Sequence, residues 1–169
     1  MPIRPIFGRY RMFPTGPGIR TPTHEEMELT VNNDRSSEPT SREERFARGA
    51  AVLEAVDGEA GVRVIDSLAD IAPELAHQIV AWGFGEIYAR PDLAPRDRQL
   101  VTLGMLTALG GAEAQLKVHI GAALNVGVTP AEVVEALLHT AVYCGFPRAV
   151  NAVNVARAVF AERDLLPVR

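Results

Sequence analysis

The sequence predicts an all-α fold, and three observations predict it. From Thr40 onward apolar residues recur at helical spacing. Prolines and capping residues stand where helices would begin, and glycines where they would stop. No stretch alternates convincingly with the period of two that a half-buried strand requires.

Residues 1–40 stand apart. Pro2, Pro5, Pro14, Pro17 and Pro22 argue against regular helix, because each removes a donor and restricts its predecessor. Two readings are open: a flexible tail, or an irregular arm packed on a neighbouring subunit. Ile3, Ile6, Phe7, Tyr10 and Phe13 favour the arm, since a solvated tail rarely carries that much apolar surface. Residues 41–169 are then a single helical domain.

Within that domain about six helices are expected. Ser41 and Glu44 form a capping box ahead of Phe46, Ala50 and Leu53. Pro73 suits the first position of a second helix with a stripe of Leu75, Ile79 and Trp82. Pro95 opens a third, carrying Leu100, Leu103 and Leu106, and Gly110-Gly111 stops it. A fourth spans 113–126, closed by Gly127. Thr129-Pro130-Ala131-Glu132 is the clearest local signal: an N-cap hydroxyl, a proline at N1 and a glutamate at N3. That fifth helix stops at Gly145, and Pro147 begins a sixth that runs to about Glu162.

Composition bounds the function. The chain has 169 residues, 47% hydrophobic and 22% charged, a balance that excludes wholesale disorder. Its net charge of −4 gives no general pull toward nucleic acid or anionic membranes. No apolar run approaches the roughly 20 residues of a membrane span, and no secretory signal is visible at the N-terminus, so a cytoplasmic location is the expectation. The single cysteine, Cys144, excludes an internal disulfide, a CxxC pair and a Cys-cluster metal site. Cys144 sits near a helix C-terminus, where the dipole opposes a thiolate.

Several residues could carry chemistry. Glu86 continues the spacing of Leu75, Ile79 and Trp82, which sets a carboxylate on an apolar stripe. Either the helix has rotated or frayed and Glu86 is solvated, or it is an acid or base with a raised pKa, or a partner for a buried cation. His119 shares a face with Leu116 and Ala123, as a satisfied core histidine or as a proton carrier. Lys117 lies roughly 200° around the helix from His119 and is expected in solvent. His139 and Tyr143, four apart, can touch. Arg90, Arg96 and Arg98 flank the 91–95 turn, as a solvated charged loop or as a carboxylate clamp.

Trp82-Gly83-Phe84-Gly85-Glu86-Ile87-Tyr88, Arg90-Pro91 and Arg96-Asp97-Arg98-Gln99-Leu100 together resemble the carboxymuconolactone decarboxylase family. His119-Ile120-Gly121-Ala122-Ala123-Leu124-Asn125-Val126-Gly127, then Glu132, Tyr143-Cys144-Gly145-Phe146-Pro147 and Asn151-Ala152, continue the match. The resemblance covers residues 45–163 and implies the helical bundle of the alkylhydroperoxidase D-like superfamily. That superfamily's peroxidase branch uses a CxxC pair; the matching positions are Ala112 and Gln115, and the relay glutamate is matched by Gln99. Thiol peroxidase chemistry is therefore unavailable. The other branch implies a cofactor-independent decarboxylase of a small carboxylated lactone, with no metal. By resemblance, His119 and Glu86 handle protons or polarise the substrate, Arg98 and Arg90 hold its anionic charge, and Tyr143 lines the pocket. The implied partners are a small anionic cyclic substrate and further copies of the chain, as a homotrimer or homohexamer. Two other readings stand beside it: a related acid–base enzyme such as an isomerase or dehydratase acting on a cyclic carboxylate or quinone-like intermediate, and a non-catalytic helical binding protein.

Overall fold

The computed structural model describes residues 41–168. The 1–40 arm, and its suggested seat on a neighbouring subunit, lie outside the described residues. Six helices and no strand occur among the described residues.

Helix α1 (Arg42–Asp66) opens with the expected capping box: Glu44 N–H bonds the Ser41 hydroxyl, and the Glu44 carboxylate accepts from Ser41 N–H. The helix kinks at Gly58, whose φ of 61° and ψ of −151° no L side chain adopts without strain. Helix α2 (Pro73–Gln78) passes directly into a π-helical segment, Ile79–Tyr88. Helices α3 (Pro95–Leu109), α4 (Glu113–Asn125), α5 (Pro130–Cys144) and α6 (Phe146–Glu162) follow within a residue or two of expectation. The Thr129–Glu132 capping box is complete.

The π segment corrects one expectation. Leu75 and Trp82 are more than half exposed, and the buried residues are Ala76, Val80, Ala81, Phe84 and Gly85. From Ile79 on the backbone step is five residues, as in Ala89 N–H to Phe84 C=O at 3.1 Å, so Trp82 drifts off the buried face; Leu75 lies before that segment, on a helix that buries Ala76 instead.

Two apolar clusters hold the bundle. The larger joins α3, α4, α5 and α6 around Leu103, Ile120, Val133, Leu137 and Phe160, each at most 1% exposed. The smaller joins α1, the π segment and α4 through Leu53, Val56, Val80, Phe84 and Ala122. Helix α4 is the wall they share. Helix α1 and the π segment cross at a contact of two glycines: a methyl on Gly85 would lie 2.8 Å from the Arg45 carbonyl oxygen, and one on Gly49 would run into that of Val80. Only glycine permits that approach. No helix among the described residues is long and apolar enough to cross a membrane.

Candidate active site

His119 lies on α4, one residue before the fully buried Ile120. Its Nδ1 is 3.1 Å from Oε1 of Gln99 on α3. Burial pushes the His119 pKa below its usual 6.5, so the ring is neutral at pH 7. Gln99 is fully buried, and its Nε2 has no hydrogen-bond partner.

Tyr88, at the end of the π segment, extends this polar region. Its hydroxyl is 3.1 Å from Thr102 Oγ1. Burial raises the phenol's pKa most; the Asp57 charge adds to the rise, while Thr102, Arg98 and Gln99 oppose it. Asp57, on α1, is 5% exposed with an unpartnered Oδ1, and burial lifts its carboxyl from 3.8 to about 7. Asp57 Oδ1 and Gln99 Nε2 are the buried side-chain atoms without a hydrogen bond among the described residues, and both residues bear on Tyr88.

The other residues singled out from sequence are more dispersed. Glu86 meets Arg45 of α1 at 3.1 Å, with both side chains part exposed, so it is not a buried acid. Arg98 donates from Nε to the Leu93 carbonyl at 3.1 Å and from Nη2 to that of Arg90 at 3.0 Å, so its guanidinium braces the 90–95 turn. Arg90 is exposed beside Asp92 at 3.5 Å, and Arg96 pairs with Glu132 and Asp97. The three arginines thus face separate partners within the chain. Tyr143 touches His139 edge-on, with ring centroids 5.3 Å apart, and is 80% exposed. Lys117 is a surface ion pair with Glu162, and the Cys144 thiol donates to the Thr140 carbonyl. A small cavity between α3, α4 and α6, bordered by Thr107, Glu113, Arg148 and Asn151, includes none of the predicted site residues. No metal-binding group of acidic, histidine or cysteine residues occurs among the described residues.

Sequence reasoning missed Asp57 and gave Gln99 and Tyr88 no role of their own. The signal for Asp57 was present: Phe46, Ala50, Leu53 and Asp57 run at spacings of four, three and four. Gln99 stands four before the fully buried Leu103, the same kind of clue.

A six-helix bundle carrying a desolvated histidine on a buried glutamine, with no cysteine pair, is the class of protein that this geometry defines. The chain belongs to the carboxymuconolactone decarboxylase family, whose model matches residues 73–158. It is 36% identical over 126 residues to a 4-carboxymuconolactone decarboxylase of Acinetobacter baylyi, covering 74% of this chain and 93% of that protein. It is 40% identical over 79 residues to a nitrosuccinic acid decarboxylase of Metarhizium robertsii, covering 47% of this chain and 54% of that one. An uncharacterised 15.0 kDa protein of Paracoccus denitrificans is 30% identical over 95 residues, 56% of this chain and 71% of the other.

Proposed function

We propose that this chain is a decarboxylase of a small carboxylated ring of the lactone type, working by proton transfer at His119. The observation that carries the site is the neutral, desolvated imidazole held on Gln99. Two relatives named as decarboxylases support the reaction class; their names cover two different acids, so the class has broader support than the substrate.

In this reading, the bond between the ring carbon and the carboxylate breaks and CO₂ leaves. The electron pair flows into the conjugated lactone carbonyl, giving a dienolate. His119 takes a proton from solvent and passes it to carbon, so that one proton is consumed per turnover. Arg98, adjacent to Gln99, supplies the positive field that attracts the substrate's carboxylate, with Arg90 across the same turn. Glu86, joined to Arg45, is the second proton-handling candidate.

Tyr143 enters this reading through assembly. Val142, Tyr143 and Phe146 are each at least 74% exposed, and Leu109 is 69% exposed, an apolar surface that a monomer would leave in water. A homotrimer or homohexamer covers it and carries Tyr143 to a neighbour's site.

The test is to purify His119→Ala and Glu86→Gln and follow CO₂ release from γ-carboxymuconolactone. The wild type should turn over and folded His119→Ala should not; wild-type turnover by that variant removes the site. Sedimentation should report a trimer or hexamer, and a monomer at micromolar concentration contradicts the assembly.

A further inference from the structure

The hydrogen bonds around Tyr88 have a direction. A threonine hydroxyl carries one proton. Thr102 Oγ1 donates it to the Arg98 carbonyl oxygen, 2.9 Å away, and that oxygen can only accept. Thr102 Oγ1 is also 3.1 Å from the Tyr88 hydroxyl. With the threonine proton committed, the tyrosine is the donor in that pair, and its oxygen keeps lone pairs to spare.

The Gln99 amide lies beside this oxygen. Lone pairs on a phenol oxygen favour the N–H end of an amide over its carbonyl end. In the structure Oε1 is the end 3.1 Å from His119 Nδ1, and the buried Nε2 makes no hydrogen bond. An amide oxygen only accepts, so the facing ring nitrogen must carry the hydrogen.

We infer that Gln99 is a positioning residue that holds His119 as its Nδ1–H tautomer and leaves Nε2 bare as the nitrogen that takes up the proton. The donor order at the ring runs from His119 Nδ1–H to Gln99 Oε1; a separate order runs from Tyr88 O–H through Thr102 O–H to the Arg98 carbonyl. An imidazole free in water prefers its proton on Nε2, so the chain must supply the bias. Burial of Gln99 strengthens it, because a hydrogen bond away from water is electrostatically stronger. The tautomer follows from the contacts alone; the use of Nε2 in turnover rests on the function proposed above.

Nitrogen-15 NMR of protein labelled at its histidine nitrogens reads the tautomer without substrate. His119→Asn assigns the signals by their loss. Above pH 7 the wild type should show a protonated Nδ1 and a bare Nε2 at residue 119. Gln99→Met keeps the length and removes the acceptor, so the ring should revert to Nε2–H or an averaged mixture. Gln99→Glu keeps an acceptor without an N–H; it should retain Nδ1–H and raise the pH at which the ring protonates. An Nε2–H wild type, or Nδ1–H surviving in Gln99→Met, overturns the inference. Should Gln99→Met not fold, Gln99→Glu decides: retained Nδ1–H supports the inference and Nε2–H overturns it. If the tautomers behave as expected while folded His119→Asn keeps full decarboxylase activity, the proposed function fails and the positioning stands.

Discussion

Replacing Asp57 with asparagine should make the fold's stability less sensitive to alkaline pH. The unfolded chain releases the Asp57 proton near 3.8, whereas the folded chain holds it to about 7. Between those values the native state binds more protons than the unfolded state, so stability falls as pH rises. The contribution is intact below 3.8, drains as pH rises, and is gone above about 7. At about 1.4 kcal/mol per pH unit, the cost on the alkaline side is about 4 kcal/mol as an upper bound. Asparagine has the same shape and no charge, so it removes this slope. Its orphaned amide carries a separate cost of about 1–3 kcal/mol that does not vary with pH. The assay is urea denaturation of both proteins from pH 4 to 8 at one protomer concentration, because any assembly adds its own concentration dependence. Groups that titrate in both proteins cancel in the difference. The variant should gain on the wild type by several kcal/mol across that range. Parallel curves would refute the claim that Asp57 is held protonated by burial.

The remaining predictions test the packing and the site. Gly49→Ala drives a methyl into the Val80 carbonyl and should cost about 1–3 kcal/mol or more in denaturant unfolding, because backbone must move. Leu103→Ala removes a fully buried side chain from the larger cluster and should cost about 2–5 kcal/mol by the same measurement. For activity, burial lowers the His119 pKa, so the acid limb of kcat/KM that reports the neutral ring should be centred below the usual 6.5. A limb centred at or above 6.5 would contradict the desolvation.

The helices were legible in the sequence wherever local chemistry acts alone. Ser41 with Glu44 and Thr129 with Glu132 satisfy orphaned backbone groups within four residues, so no distant partner is needed to read them. Gly110 and Gly145 end α3 and α5 for an equally local reason: both take a positive φ. The π segment was not legible, because the string Ile79–Tyr88 carries no mark of a five-residue step. That hidden step is why Trp82 was expected inside. Candidate site residues divide in the same way. His119 was found because its helix is regular and its neighbours are apolar. The partners of Glu86, Arg90 and Arg98 depend on where α1 and the 91–95 turn settle, which spacing within one helix does not encode.

The glycine crossing explains why the polar groups meet where they do. Gly49 and Gly85 let α1 press against the π segment backbone to backbone. Asp57 follows Gly49 by about two turns, and Tyr88 follows Gly85 by three residues, so the contact that admits only glycine brings the buried carboxyl within electrostatic range of the phenol. Tyr88 in turn stands by Thr102 and Gln99 on α3, and Gln99 reaches His119 on α4. Backbone packing in the smaller cluster and the state of the imidazole are therefore linked through four helical elements. Gly49→Ala tests that link apart from its effect on stability. If the added methyl parts α1 from the π segment, the Asp57 carboxyl regains water and titrates closer to 3.8 in the folded variant, read from its carboxyl carbon shift by NMR. A folded Gly49→Ala protein with Asp57 still titrating near 7 would show that the carboxyl's burial does not depend on the crossing.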